Sequence, residues 1–213
     1  MTRNGAKNLT FFCEVDGLFS VRGQDRKDAE RLVLANHYAH SLPSGKTHVY
    51  AGRGAVVMFS IPANRFAARV LLGRDGDVWE LTRLWAPDGH EKNLLTWAIS
   101  RAVRAFHRDE PSVEALVSYA DPNVGHEGFV YRAASWVYCG RSEESRYYRK
   151  NGQVVARRKF HSGGQHLNKS EIVALGYEEL KLPGKHRFGY GLTKRARREI
   201  QAKAALETAR CVK

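Results

Sequence analysis

The chain has 213 residues, of which 43% are hydrophobic and 27% charged, so it can bury one substantial core. No apolar run reaches the roughly 18 residues that a membrane span needs, and no secretory pattern precedes the first apolar run, so we expect an intracellular, cytoplasmic protein. The 35 lysines and arginines outnumber the 22 acidic residues, and this positive charge favours a polyanionic partner. The three cysteines form no CxxC pair, which excludes a cysteine-rich zinc site.

The first part of the chain predicts a hairpin, a helix and an antiparallel meander. Residues 8–22 contain two short apolar runs separated by Asp16-Gly17, a dipeptide suited to a tight turn. From Asp25 the apolar spacing becomes helical, and this helix ends near His37-Tyr38. The runs typical of strands follow at 47–51, 55–61, 66–72 and 78–85.

The second part begins with a long amphipathic helix, whose apolar stripe runs from Leu94 to Phe106. A compact apolar run at 113–119 predicts a buried strand, so Asp121 is expected at the carboxyl end of that strand, where α/β sheets tend to bind ligands. The remaining predicted elements are a short helix at 125–134, a strand at 136–138, a hairpin turning at Asn151-Gly152, a helix at 170–175 and a final helix from Thr193 to about Arg210.

This order of elements predicts an α+β fold resembling the GNAT acyltransferases. We expect a mixed, mostly antiparallel central sheet flanked by helices, with a basic C-terminal hairpin and helix. Residues 1–145 are predicted to form the GNAT-like core. Residues 146–213, where basic residues cluster, are predicted to be an extension packed on that core within a single domain.

The side chains that could carry chemistry are His37, Tyr38, Asp121 and Tyr131. Imidazole, carboxylate and phenol oxygen are hard ligands of the kind that suit iron, and phenolate favours its ferric state. The alternative is structural: Tyr131 packs in the core, and Asp121 caps the helix that follows it.

Arg83 is the next candidate, since a cation on a central strand could hold a substrate carboxylate or phosphate in the cleft. Alternatively, it pairs with Glu80 or Glu14 within the sheet. His126 and Glu127 lie just after the predicted strand, at the start of the short helix. One reading is that either side chain is a catalytic base. The alternative is that Glu127 is there because the helix dipole favours an acidic residue at a helix start.

Nucleic-acid binding is predicted for the hairpin near Asn151-Gly152. Its cations could contact phosphates, the alternative being a solvated charged surface; they are Arg149, Lys150, Arg157, Arg158 and Lys159. An enzyme acting on a DNA base would also need an aromatic side chain to hold that base outside the DNA duplex. The candidates for this stacking role are Trp85, Trp136, Tyr119 and Tyr138.

Four short segments stand out in order along the chain: the AN-HY end of the first helix, ELTRLW at 80–85, SYADP at 118–122 and GHEGFVYRAASWVYCG at 125–140. Together they resemble the Mom family of phage DNA-modification proteins, and the likeness covers roughly residues 30 to 190. The resemblance implies a GNAT-like enzyme that converts adenine in double-stranded DNA to N6-carbamoylmethyladenine and so protects phage DNA from host restriction. It also implies that His37, Tyr38, Asp121 and Tyr131 form an iron-associated active site.

The sequence does not identify the molecule that donates the group transferred to adenine. At 87–93, PDGHEKN offers only Gly89 where GNAT enzymes carry a glycine-rich loop for coenzyme A, so acetyl-CoA is a doubtful donor. Acetyl transfer would leave an amide, whereas the carbamoylmethyl group attaches nitrogen to a CH2 carbon, and a glycine-derived donor has the right atoms. Two alternative functions remain: a nucleic-acid-binding protein without catalysis, and a GNAT-type N-acetyltransferase.

Overall fold

The computed structural model describes residues 17–161 and 166–211. Six helices are seen there: α1 (Gly23–Asn36), α2 (Ala67–Leu72), α3 (Leu94–Asp109), α4 (Phe129–Ala133), α5 (Lys169–Ala174) and α6 (Lys194–Cys211). The ten strands are β1 (Phe19–Ser20), β2 (Thr47–Gly52), β3 (Ala55–Ser60), β4 (Val78–Trp85), β5 (Ala115–Ala120), β6 (Val137–Arg141), β7 (Ser145–Lys150), β8 (Gln153–Ala156), β9 (Glu178–Leu182) and β10 (His186–Gly191). No helix of the described ranges is both long and apolar enough to cross a membrane.

Seven strands form the central sheet in the order β1-β2-β3-β4-β5-β10-β6. Only β4 and β5 run parallel; every other neighbouring pair is antiparallel. Helix α3 packs against one face through residues such as Phe106, and α2 and α6 cover the other through Leu71 and Ile200. All six residues of β3 are buried, as expected for a strand covered on both faces. The predicted α+β class, with a mostly antiparallel sheet flanked by helices, is confirmed.

Strand β10 has no counterpart among the sequence predictions, yet it lies between β5 and β6. Gly189 allows this placement, since a Cβ there would stand 2.6 Å from Leu71 of α2 and 3.2 Å from Ile200 of α6. Part of the segment 146–213 therefore belongs to the central sheet rather than lying outside it.

The prediction of a strand at 66–72 is wrong, because this segment contains helix α2. Ala67 and Leu71 lie four residues apart and are both buried, which is a helical spacing, and Gly73 ends the helix with φ 77°. A run of this length is compatible with either a strand or a helix, and its packing against α6 favours the helix.

The loop after β5 also differs from its prediction. Pro122–Val124 forms a 3₁₀ turn opened by the Asp121 side chain, which accepts a hydrogen bond from the Asn123 amide at 3.0 Å. The helix predicted to begin at residue 125 begins instead at Phe129, because Gly125 and Gly128 both adopt positive φ and interrupt it. The strand predicted at 136–138 is present as β6, displaced by one residue at its start.

A second, three-stranded sheet has the order β8-β7-β9. The hairpin turn predicted at Asn151-Gly152 is confirmed; both residues have positive φ, as a tight turn between antiparallel strands requires. Tyr148, Phe160 and Ile172 form its small core. The cations at 157–159 lie in a 3₁₀ helix, Arg157–His161, and not on a strand as predicted. The expected N-terminal hairpin at Asp16-Gly17 lies largely outside the described residues.

Candidate active-site cleft

A cleft of about 1840 Å³ opens between the central sheet and the three-stranded sheet. It lies at the carboxyl end of the parallel strands β4 and β5, and side chains of β7 and β8, among them Tyr147 and Val154, form part of its opposite wall. The five predicted active-site residues all line it: His37, Tyr38, Arg83, Asp121 and Tyr131. Residues far apart in sequence are thus brought to one place.

His37 enters the cleft at the end of α1. Its own amide closes the helix on the Val33 carbonyl at 2.9 Å, and its Nδ1 accepts a hydrogen bond from the Ala39 amide at 3.1 Å. Burial, reinforced by the nearby Arg83 charge, lowers the pKa of His37 to about 4. The imidazole is therefore neutral at neutral pH, and the Ala39 contact places its proton on Nε2.

Asp121 follows β5 and is only 6% exposed. Its Oδ2 lies 2.9 Å from the Lys185 ammonium, and its Oδ1 accepts hydrogen bonds from the backbone and side-chain nitrogens of Asn123. Burial alone would raise the pKa of Asp121, but the Lys185 ion pair and the Asn123 hydrogen bonds outweigh it, so the pKa is lowered. The carboxylate is ionised although it is buried.

The two tyrosines of the site differ in access. Tyr131 is 8% exposed, packs between Trp136 and Phe188, and burial raises its pKa to about 12. Tyr38 is 41% exposed and stacks near His37, with ring centroids 4.4 Å apart; burial of its hydroxyl is the main cause that raises its pKa. Both are therefore neutral phenols at neutral pH.

Arg83 lies on β4 and holds the loop after α1. Its Nε donates to the Ser41 carbonyl at 2.8 Å, and its Nη2 donates to the Ser41 hydroxyl at 3.0 Å. The guanidinium thus fixes the segment that carries His37 and Tyr38 while it also lines the cleft.

Lys185 is the residue of this cleft that the sequence predictions missed. It stands just before β10 and was visible only as part of the basic cluster 185–187. Although burial works against its charge, the hydrogen bond to Asp121 raises the pKa of Lys185. His126 and Glu127, the candidates for a catalytic base, both line the cleft. His126 meets the Tyr38 ring edge-on at 4.9 Å, and Glu127 contacts His186 at 3.0 Å.

The predicted DNA-binding cations are divided between two surfaces. Arg149 pairs with Glu178 at 2.7 Å, and Lys150 donates to the Leu175 carbonyl at 2.6 Å; neither lines the cleft. Lys159 does line it. Arg157 is exposed beside it in the 3₁₀ helix, and of Arg158 the structure describes only the backbone.

The aromatic candidates for stacking a base are also divided. Tyr119 lines the cleft. Trp136 is 4% exposed in the main core, Tyr138 packs against Phe188, and Trp85 packs with the core beneath α1. The last three side chains do not border the cleft.

The donor set of the cleft is suited in type to a hard metal ion. In the described part of the chain, no three His, Cys, Asp or Glu side chains are grouped as a metal site, so phenol oxygens would have to complete any ligand set. Imidazole and carboxylate are ligand types that iron accepts, and each phenol would have to lose its proton before its oxygen could bind ferric iron. Ligation by His37 Nε2 requires its proton to move to Nδ1, which breaks the Ala39 contact, and ligation by Asp121 competes with Lys185.

Comparison with solved structures shows the fold. The chain is similar to a crystal structure of Arabidopsis thaliana NAA60 in complex with acetyl-CoA, with a TM-score of 0.50, 10% identity, and coverage of 82% of this chain and 97% of that one. A Bacillus subtilis acetyltransferase in complex with CoA is a weaker match, with a TM-score of 0.44, 7% identity, and coverage of 83% and 99%. The GNAT-like architecture predicted from the order of elements is confirmed.

Sequence comparison shows the family. The chain is 28% identical over 191 residues to the methylcarbamoylase mom of Escherichia phage Mu, a match that covers 82% of this chain and 76% of the relative. The family model of the Mom protein family matches residues 18–207, which include β1 through most of α6 and every residue of the cleft. The resemblance inferred from four short segments is therefore confirmed over nearly the whole chain, and the protein belongs to the Mom protein family.

Proposed function

We propose that this chain is a phage DNA-modifying enzyme that converts adenine in double-stranded DNA to N6-carbamoylmethyladenine, acting in the cytoplasm of the phage-infected cell as protection against restriction. Membership of the Mom family, with a methylcarbamoylase among its relatives, supports this class of activity. The observation that carries the proposal is the convergence of His37, Tyr38, Asp121 and Tyr131 in one cleft.

Asp121 is placed to hold the amine that reacts. A carboxylate offers about four acceptor sites, and Lys185 with the two Asn123 nitrogens uses three of them. One site is left for an N–H of the adenine amine. The Lys185 charge keeps Asp121 ionised, so its carboxylate can accept a hydrogen bond from the adenine amine and orient the amine nitrogen towards the donor.

We also propose that iron is held by His37, Tyr38, Asp121 and Tyr131. At Asp121 iron would take the place of the Lys185 ammonium, so that the fourth acceptor site stays free for the amine. A redox-active iron would supply the activation that a bond between nitrogen and a CH2 carbon needs beyond acyl transfer. The residues of the chain contribute orientation: Arg83 fixes the His37 loop through Ser41, and Trp136 and Phe188 hold the Tyr131 ring.

Acetyl transfer from coenzyme A is the less favoured function. The turn between β4 and α3 contains the single glycine Gly89, and Asn93 begins α3 in the left-handed region without a side-chain cap. A run of backbone amides made by several glycines is the usual way to bind a pyrophosphate at a helix start. The likeness to acetyltransferases is one of fold alone.

The test is nucleoside analysis of plasmid DNA after co-expression with the wild-type protein. We expect a deoxyadenosine with the mass of a carbamoylmethyl adduct, and labelled glycine in the medium reports whether the donor is derived from it. Tyr131→Phe and Asp121→Asn should each abolish the adduct while DNA affinity is not weakened, because neither change removes a cation from the protein.

Tyr177→Phe is the matched control, since it removes a phenol hydroxyl from the core of the three-stranded sheet, outside the cleft. It should keep wild-type modification. Metal analysis of the purified protein should find iron. Unmodified DNA with a folded, metal-loaded wild-type protein would remove the proposed function, and full activity of the metal-free protein would remove iron alone.

A further inference from the structure

Phe129 is the most exposed large hydrophobic side chain of the described residues, at 75%. It lies on the rim of the cleft, beside the loop that carries Asp121, and it is the first residue of α4. A single exposed ring needs no explanation, but a group of exposed apolar side chains around the entrance of a cleft marks a surface that contacts a partner.

The backbone beneath Phe129 is firmly held. Gly128 has φ 77°, and a Cβ there would stand 2.2 Å from the ring of Phe188, which is fully buried. The chain is therefore pressed directly onto the core just before Phe129. Tyr131 follows two residues later, about 200° around the helix, and points inward. One short helix thus presents a phenyl ring outward and the candidate catalytic phenol inward.

Other exposed apolar groups share this rim. Val124 and Val154 are each 47% exposed and line the cleft, the first beside Asp121 and the second on the β7–β8 hairpin. Cations are interspersed, with Lys159 and Lys185 in the lining of a protein whose net charge is +13. An apolar rim within a cationic surface matches duplex DNA, which presents phosphates outside and stacked bases within.

This inference rests on the proposed function: the amine of a stacked, paired adenine cannot reach Asp121 and Tyr131 inside the cleft, so the base has to leave the helix. We propose that Phe129 is a wedge that enters the base stack beside the target adenine and fills the gap left when that adenine turns into the cleft. Its rigid support on Gly128 and Phe188 allows the ring to part the bases rather than to fold back against the protein.

The experiment compares two DNA substrates that contain an adenine mapped as modified by the wild type. In one the adenine is paired with thymine; in the other it stands opposite an abasic site, where little unstacking is required. For Phe129→Ala we expect the rate of modification to fall roughly tenfold or more on the paired duplex and to stay within about twofold on the abasic one. Phe129→Trp should keep activity on both substrates.

Leu206→Ala is the matched control, because Leu206 is 65% exposed on α6, away from the cleft. It should behave as the wild type. A second readout is 2-aminopurine placed beside the target adenine, whose fluorescence rises when it unstacks. Wild-type protein should raise the signal in the paired duplex, and Phe129→Ala should fail to do so even at saturating protein.

Three outcomes contradict the wedge. An equal loss for Phe129→Ala on both substrates would assign the ring to the pocket that holds the base, and equal activity on both would leave it no role in base extrusion. In each of these cases the wild type is active and the proposed function survives. If the wild type modifies no adenine, so that no target can be mapped for these substrates, the proposed function and the wedge are removed together.

Discussion

His37 shows how burial sets the charge of a single residue in the cleft. It is 8% exposed, its Nδ1 is held by the Ala39 amide, and the charge of Arg83 lies nearby. A cation there would be desolvated and repelled, so the folded state strongly prefers the neutral imidazole. Asp121, by contrast, keeps its charge because Lys185 lies 2.9 Å away. Neighbouring residues of one site are thus held in different protonation states by their surroundings.

The lowered pKa of His37 predicts a loss of stability in acid. Folding lowers this pKa from 6.5 to about 4, so the unfolded chain takes up the proton first. The stability present above pH 6.5 is therefore lost as the pH falls towards 4. For the metal-free protein we expect the free energy of unfolding in urea to drop by about 2 kcal/mol between about pH 7.5 and about pH 5 from this residue alone.

His37→Gln should remove that part of the pH dependence. His90→Gln, changed at an exposed histidine outside the cleft, is the matched control and should retain the wild-type difference between the two pH values. If His37→Gln loses as much stability in acid as the wild type does, His37 is not the buried neutral group described here.

At the scale of elements, the β7–β8 hairpin divides its cations between two environments. Arg149 faces Glu178 of β9, so its charge is balanced within the three-stranded sheet. Lys159 follows the hairpin in a 3₁₀ helix and lines the cleft. We expect a cation that lines the cleft to contact the phosphates of DNA that enters it, and a cation that lies outside the cleft to contact them less.

We therefore expect Lys159→Ala to weaken duplex DNA binding several-fold and to reduce the slope of log K against log salt by about 1. Arg149→Ala, the control at a cation of β7 outside the cleft, should change neither by a comparable amount. Fluorescence anisotropy of a labelled duplex over a salt series measures both quantities. Equal effects of the two changes would show that the whole hairpin, and not its cleft side, contacts DNA.

At the scale of the molecule, the C-terminal part of the chain completes the central sheet. Strand β10 pairs with both β5 and β6, and Ala196 and Ile200 of α6 are buried against the face opposite α3. Without them, β5 would lose its antiparallel neighbour and Leu71 its cover. The cleft would also lose Lys185, which enters just before β10.

A chain ending at residue 145 should therefore fail to fold on its own. We expect it to lack a cooperative urea transition and to show little amide protection in hydrogen exchange, because the backbone groups of β5 and β6 that β10 pairs would be exposed. A chain ending at Glu207 keeps β10 and the buried residues of α6 and should unfold cooperatively, as the full chain does. Cooperative unfolding of the 145-residue chain would show that the sheet is complete without β10.

Several elements were predictable because local pattern and tertiary packing agree. Helix α3 carries a broad apolar stripe that is buried as expected, and the Asn151-Gly152 turn needs no distant contact to form. Helix α2 and strand β10, by contrast, were not predicted, and one reason applies to both. Their short sequences are compatible with more than one structure, and contacts with α6 and with β5 decided between them.

Composition, apolar period and short motifs were enough to predict the basic charge, the α+β class, the family and the residues of the cleft. Folding was needed to show that Lys185 neutralises Asp121, that Arg149 pairs with Glu178 while Lys159 lines the cleft, and that Phe129 lies exposed on its rim. Charge pairing, burial and exposure depend on contacts between residues that are distant along the chain, and a local sequence pattern contains no information about those contacts.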